Sequence, residues 1–402
     1  MTALFKAQVI TSSRGFAAML FSIAASPVLH EAGVSFQTIS IGYGILYLIL
    51  AAVQIPTGVW ADVFGAKRAA IFGGILQTIA MLFLGLGTIH SWQILAGFAL
   101  YGLGSSFVTR AISALMFETA RTEGAADFNS NKYFSATEKA AVASYILASF
   151  AVGFLSEYLG RSSLLIGGVF FMSTSIFVAS KFKEVLTARK QETLQKEFVS
   201  RMTESFSIIK KSTELKVLLP IRMLHQIESV LGVMWLPWIQ QLGGGSAKWF
   251  SVLSTGSYLL RYAVNHMLSK RARPETYMKR MAISLALMAL GCVICVFAEN
   301  VWMALFGVWT MAGSRGAFLP AVQAIQHEEF TDSVRTTGLS AMNFSVDAMI
   351  AISYFASAAV IEKLTVPSAW GIAAASFTLA SIGALYALAH IRNRDFSEKV
   401  SV

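Results

Sequence analysis

"QIPTGVWADVFGAKR", residues 54–68, stands where one long apolar run stops and the next begins. One acid, two glycines and two adjacent cations share this short connection. Gly58 lets a neighbouring helix come close, and Asp62 can accept hydrogen bonds from the N-terminus of such a helix. Gly65 can take the left-handed conformation of a helix end, while Lys67 and Arg68 hold the turn on the cytoplasmic side of a bilayer. Together these residues read as a polar latch between two membrane-spanning helices.

The flanking sequence supports a bilayer setting. Hydrophobic residues make up 55% of the 402-residue chain and charged ones only 13%, far too apolar for an ordinary soluble enzyme. Twelve segments are long enough to cross roughly 30 Å of hydrocarbon, and helices suit them because a helix satisfies its own backbone hydrogen bonds. They cover residues 7–29, 36–61, 68–88, 91–118, 133–158, 162–180, 215–240, 247–268, 278–298, 301–326, 337–361 and 368–390. The first could be mistaken for a secretory leader, with Lys6 and Arg14 ahead of apolar residues 16–25. It is read as an uncleaved helix, because its removal would leave eleven spans. The predicted fold is an all-α membrane protein with twelve transmembrane helices in two six-helix halves, residues 1–180 and 215–402.

Residues 181–214 form the longest non-apolar stretch and the expected cytoplasmic linker. Leu194, Phe198, Met202, Phe206 and Ile209 recur there at steps of three and four, predicting an amphipathic helix along the membrane surface. Offsetting residues 92–118 by 210 pairs Trp92 with Trp302, Leu95 with Leu305, Gly97 with Gly307, Ala111 with Ala321, Ala114 with Ala324 and Glu118 with Glu328. A duplicated six-helix unit would leave such a trace.

Charge placement predicts the orientation. With the amino terminus taken as cytoplasmic, 23 of the 32 Lys and Arg fall in inside connections and ends. Six lie within spans and three (Arg161, Lys248, Lys363) fall outside. This bias puts both termini inside and the chain in a cell membrane, the inner one in a Gram-negative cell. The net charge of +10 is spread over every cytoplasmic connection, where it meets anionic lipid headgroups, so no nucleic-acid partner is expected. Cys292 and Cys295 lie inside "LALMALGCVICVFA" and read as small helix side chains, not as a redox or metal pair. No metal or other cofactor is expected.

The stretch at 54–68 resembles the signature loop of the major facilitator superfamily: glycine, three residues, aspartate, two residues, glycine, one residue and a basic pair. Gly58, Asp62, Gly65, Lys67 and Arg68 each match it, and Pro56 matches a proline common just before the loop in drug-exporter-like members. The resemblance covers the whole chain by topology and, by motif, this loop and loosely "GLGSS" in the fourth span. The second-half counterpart, "NHMLSKRARPETYMKR", keeps its basic residues without a matching aspartate. Arg110 follows "GLGSS", whereas the family's fourth-span arginine usually precedes its glycines, so that arginine's family role is not carried over. The resemblance implies a secondary transporter whose two halves rock about a midplane site, with the loop as part of its gate.

Nine ionisable residues other than His fall within spans and away from their ends: Arg14, Arg110, Glu138, Lys139, Arg222, Glu228, Arg261, Arg315 and Asp347. Each costs about 3 kcal/mol to insert, so such groups usually face a cavity or one another. Ser254, Tyr258, Arg261 and Asn265 form one stripe of the eighth span, and Ser340, Asn343 and Asp347 one stripe of the eleventh. Arg222, His225 and Glu228 share an arc of about 120° on the seventh. Six cations against three acids would draw an anionic or zwitterionic solute bearing carboxylate or phosphate, for which arginine presents a fork. The candidate substrate-binding residues are Arg14, Arg110, Arg222, Tyr258, Arg261, Arg315 and Asn343. The alternative is that the arginines partner the acids or snorkel to the interface. Glu228 and Asp347 are candidate proton carriers, because burial favours the neutral carboxyl and a nearby cation the charged one. His225 joins them, against the simpler reading of a core histidine.

The expected function is proton-driven export of a small organic solute, with uptake of an organic anion as the alternative. No GxxxxGK[ST] phosphate loop of an ATPase is present. A membrane-embedded acyltransferase would want a His–Asp pair beside a lipid-accessible groove, and a sensor an added soluble domain; neither is favoured, and no enzymatic activity is expected. The expected partners are the solute, protons and membrane lipids, with the protein a monomer.

Overall fold

The computed structural model describes residues 2–86, 90–123, 130–183, 203–204, 207–231, 233–269, 276–330, 335–360, 363 and 365–400. Helix is the only regular structure among them. Helix α1 (Ala3–Met19) continues through a π-turn (Leu20–Ala24) into α2 (Ala25–Glu31). Then come α3 (Phe36–Phe64), α4 (Ala66–Leu86), α5 (Ser91–Glu123), α6 (Ser130–Leu159) and α7 (Ser163–Lys181). After the linker region follow α8 (Thr213–His225), α9 (Trp235–Leu242), α10 (Lys248–Ser269), α11 (Tyr277–Val296), α12 (Val301–Glu329), α13 (Arg335–Val360) and α14 (Val366–Val400).

Seven stretches of the described residues are long and apolar enough to cross a membrane; one of them, Ala140–Lys181, holds most of α6 and all of α7. The chain is an all-α, multi-pass membrane protein. The predicted linker helix falls mainly on residues 184–202 and 205–206, outside the described residues; residues 207–211 are helical.

Local chemistry accounts for the helix ends. Ser35 caps α3 by accepting from Thr38 N (3.2 Å), Ser212 caps α8 from Leu215 N (3.0 Å), and Asn300 caps α12 from Met303 N (3.0 Å). At the other end of α3, Gly65 has φ 102° and ψ 138°. Its φ is positive, as predicted, but ψ is extended, so it enters a region that only glycine visits freely and not the left-handed helical well. Gly65 N donates to Ala61 O (2.9 Å) and Ala69 N to Gly65 O (3.1 Å), so one residue closes α3 and opens α4. Trp60 braces this corner, edge-on to Phe107 with ring centroids 5.3 Å apart and stacked beside Phe72.

The seventh predicted span is not one helix. Helix α8 stops at His225, a 3₁₀ turn covers Gln226–Leu231, and α9 begins at Trp235. Pro237 lies in the first turn of α9, where a missing N–H costs nothing; in a continuous helix it would deprive the carbonyl four residues back of its partner. The predicted arc therefore holds only as far as His225, and Glu228 is carried by the 3₁₀ turn.

The described residues gather into two compact units. The first comprises Met1–Leu194, Leu236–Thr255 and Ser357–Ile361; the second comprises Gln195–Trp235, Gly256–Ala356 and Glu362–Val402. In the first, Ala3, Ala7 and Ile10 of α1, Ala69 and Ala70 of α4 and Val108 and Leu115 of α5 share a buried cluster. A Cβ on Gly104 would lie 2.6 Å from the carbonyl oxygen of Gly73, so α4 and α5 touch backbone to backbone. The later segments join this unit through polar contacts. Ser251 Oγ accepts from Gly153 N (3.0 Å) and donates to Phe150 O (2.7 Å), Lys248 pairs with Glu157 (3.7 Å), and Gln240 Nε2 donates to Glu31 Oε1 (2.6 Å). The hydroxyls of Ser40 and Ser357 lie 3.0 Å apart.

In the second unit α11 and α12 make the corresponding tight pair. A Cβ on Gly307 would lie 2.7 Å from Gly291 O and 2.5 Å from Cys295 Sγ. Its repeat partner Gly97 would meet Ala80 O at 3.4 Å and the Leu84 side chain at 2.8 Å. Those contacts are offset by one residue more than the 210 of the sequence pairs, so the two helix pairs pack alike. Both cysteines are buried, free thiols in this interface. Cys292 Sγ lies 3.6 Å from Met311 Sδ and Cys295 Sγ 3.7 Å from Ala304 O.

Candidate functional site

The second unit draws together residues from α8, the 3₁₀ turn, α12, α13 and α14. The break after α8 turns Glu228 toward α12, where Arg315 Nη2 forms an ion pair with Glu228 Oε1. One turn of α8 before the break, Arg222 Nη2 donates to Asn343 Oδ1 of α13 (3.1 Å). Asp347, half-buried one helical turn beyond Asn343, is close enough to Arg222 for its charge to act there.

His225 lies at the centre, 5% exposed, its ring stacked on Phe318 (centroids 4.7 Å, planes 5° apart) with Phe377 of α14 at 5.5 Å. The Gln226 amide nitrogen lies 3.1 Å from His225 Nδ1. An amide nitrogen can only donate, so Nδ1 accepts and a neutral ring carries its hydrogen on Nε2.

Formal charge in this cluster balances, with two guanidiniums against two carboxylates. Hydrogen-bonding capacity does not. Arg222 Nη1, His225 Nε2 and Arg315 Nε are buried with no partner among the described residues. An unmet buried donor costs about 1–3 kcal/mol, so three in one cluster make it receptive to an acceptor-rich solute.

Arg14 has a different setting in the first unit. Its Nη2 donates to Gln77 Oε1 (2.8 Å), Gln77 Nε2 donates to Ser105 Oγ (2.9 Å), and the guanidinium lies over the Phe171 ring at 5.2 Å. Tyr258 is half-buried on α10, while Arg261 is exposed and makes no hydrogen bond or ion pair among the described residues. Lys67 is half-buried and Arg68 exposed at the start of α4. Gly58 lies in α3; the side chains of Asp62 and Arg110, like those of Glu138 and Lys139, lie outside those described.

Six of the candidates, Arg222, His225, Glu228, Arg315, Asn343 and Asp347, thus meet in one cluster. Sequence reasoning missed Gln226, Phe318 and Phe377, and Gln77 beside Arg14. Gln77 carried a signal, as an amide inside an apolar run; Phe318 stands three residues after Arg315, on the same helix face.

A family model described as the Major Facilitator Superfamily matches residues 9–280, more than half of the chain. The chain belongs to the major facilitator superfamily. As a member it is a transporter of a small solute, not an enzyme. His327 and Asp332 do stand in the HxxxxD spacing of acyltransferases; both fall outside the described side chains, and family membership decides against that chemistry. The fold is shared with solved superfamily structures. A point variant of the nucleoside transporter NupG superposes with a TM-score of 0.79 at 11% identity, over 96% of this chain and 100% of that one. A POT peptide transporter in complex with sulfate gives 0.73 at 13% identity, covering 97% and 94%. A bacterial homolog of the human lysosomal transporter Spinster gives 0.69 at 13%, covering 96% and 95%. No curated protein matches the chain.

Proposed function

We propose that this transporter moves a small anionic or zwitterionic solute, bound by the cluster of Arg222, His225 and Arg315. The observation that carries the reading is the set of three buried, unpartnered N–H donors. A carboxylate or phosphate offers several acceptor lone pairs and two or three oxygens, and charge-assisted bonds from arginine are about twice as strong as neutral ones.

Proton coupling would run through the Arg315–Glu228 pair. An anion taking Arg315 leaves Glu228 without its cation in a buried setting, where a carboxylate is costly and its protonated form is not. Anion and proton would then bind together and not in competition, which favours co-transport. Under an inward proton gradient this is uptake. Export rests instead on the likeness of the 54–68 loop to drug-exporter-like members. Asp347, near Arg222, is the second candidate carrier. All twelve helical stretches would cross a cell membrane with both termini cytoplasmic, and residues 58–68 would form part of the gate.

Flux into liposomes tests the reading. A panel of carboxylates, phosphates and neutral analogues, with pH gradients of either sign, should show anion accumulation along an inward proton gradient. Glu228→Gln should keep downhill exchange and lose accumulation, because binding survives when its linkage to the proton is gone. Faster movement of neutral solutes, or indifference to pH, would reject the anionic and proton-coupled readings respectively. Topology is tested separately: single cysteines in a Cys-free background should be labelled from outside at position 363 and only from inside at position 271.

A further inference from the structure

The face of α12 opposite the polar cluster lines a second feature. Arg315 points toward Glu228, whereas Gly313 and Ala317, two residues to either side and so on the far side of the helix, line a cleft of about 530 Å³. Its walls are Leu260 and Val264 of α10, Ile283 and Leu287 of α11 and Phe306 and Trp309 of α12. Ile283 is 50% and Phe306 62% exposed, so the cleft opens outward through apolar walls on helices of a membrane protein. Two of the three hydroxyls along it are used locally, Thr310 donating to Phe306 O (2.8 Å) and Ser314 to Thr310 O (2.7 Å), and the third, on Ser284, is buried. The lining thus offers almost no free polar group along about 16 Å of α12, from Phe306 to Ala317.

One end is different. Arg280, half-buried in the first turn of α11, lines the cleft and reaches across to α10, where Nη1 donates to Leu268 O (3.2 Å). That placement sets a fixed cation at the mouth of an apolar slot. Lys279, the exposed neighbour of Arg280 in the same turn of α11, adds a second cation.

We propose that this cleft holds an acyl chain of an anionic glycerophospholipid whose phosphate meets Arg280. An apolar slot with a cation at one end matches an acyl chain with an anionic head in both shape and charge. A juxtamembrane cation attracts anionic lipid, and an arginine fork holds a phosphate in a set orientation. The transported solute is excluded as occupant by position, because the unpartnered donors face the other side of α12. A lipid seated here would bridge α10, α11 and α12, tying the membrane's charge to the packing of this helix trio.

The test is lipid retention by the purified, delipidated full-length protein in detergent, read by native mass spectrometry. Dioleoylphosphatidylglycerol and dioleoylphosphatidylcholine are added in parallel. The wild type should retain the anionic lipid preferentially, and Arg280→Gln should cut that preference roughly fivefold, the weight of one juxtamembrane cation. Gly313→Leu, which fills the cleft, should reduce retention of both lipids. Equal retention of the two by the wild type, preserved selectivity in Arg280→Gln, or undiminished retention in a folded Gly313→Leu would each overturn the proposal. A second readout needs no filled cleft: phosphatidylglycerol brominated in its acyl chains should quench fluorescence, and Trp309→Phe should remove a distinct share of the quenching among the eight tryptophans. An unchanged quenched fraction would place the lipid elsewhere.

Discussion

Arg14 in the first unit and Arg315 in the second are both arginines on membrane helices, yet their guanidiniums are engaged in different ways. Arg14 donates to a neutral amide, Gln77, which is itself held by Ser105, and it lies over Phe171. None of its nitrogens is buried without a partner. Arg315 is neutralised by Glu228, and still its Nε is buried and unmet, like Arg222 Nη1 and His225 Nε2 beside it. The region that balances its charge is therefore the one with donors left over. Counting charges along the spans points to every arginine alike; counting unmet donors sets Arg14 apart from the cluster proposed to bind the solute.

Arg315→Gln should give the largest effect. It strands the Glu228 carboxylate, which is only 16% exposed, and breaking such a pair costs several kcal/mol. With the Arg315 side chain 32% exposed, a loss of about 2–4 kcal/mol is expected in denaturant unfolding of the detergent-solubilised protein. The double variant Arg315→Gln/Glu228→Gln should recover most of that stability and no gradient-driven transport. If it recovers transport as well, the pair is a structural brace like Arg14.

The glycine contacts supply a control on helix packing that ignores charge. Gly104→Ala and Gly307→Ala each push a Cβ to within 2.7 Å of a facing carbonyl oxygen, and overpacking of this kind costs about 1–3 kcal/mol. Both should lower the unfolding midpoint by similar amounts while leaving solute affinity in equilibrium binding unchanged. A large difference between them would show that the two helix pairs are not equivalent in strength.

Arg14→Gln sharpens the contrast directly. Losing the bond to Gln77 and the ring contact should cost about 1–2 kcal/mol of stability, with solute affinity shifted less than about threefold. An affinity loss as large as that of Arg315→Gln would make Arg14 a binding residue and dissolve the distinction drawn between the units.

His225→Phe should have the smallest effect on folding. Phenylalanine preserves the stack on Phe318 and removes an unmet buried donor, so stability should stay level or rise by up to about 1 kcal/mol. Affinity for the anion should fall about fivefold, the weight of one neutral hydrogen bond. Unchanged affinity would make His225 a core residue.

The helical bundle was legible because apolar length is a local property: within the described residues, each predicted span falls on one helix or on two joined by a short turn. The positive φ at Gly65 was legible for the same reason, but its extended ψ was not, because the left-handed helical well is the commoner helix end. The break in the seventh span was less so. Pro237 was visible, but a proline inside an apolar run marks a kink as readily as a new helix, and only the 3₁₀ turn at Gln226–Leu231 shows where the chain departs. Arg261 illustrates the converse: its stripe with Tyr258 follows from helical period, yet period does not say which way the stripe faces.

The sequence by itself determined that the chain is a multi-helix membrane protein, that its 54–68 connection is of major facilitator type, and that ionisable groups stand inside its spans. These follow from composition, from spacing and from the cost of placing charge in hydrocarbon, all readable one segment at a time. Only the tertiary structure decided which charges meet. Glu228 reaches Arg315 across 87 positions and Arg222 reaches Asn343 across 121, while Arg14 finds Gln77 instead of an acid. No local pattern encodes such pairings, because the partner of a buried charge is set by which helix faces close on one another, and that is fixed by the packing of all of them together.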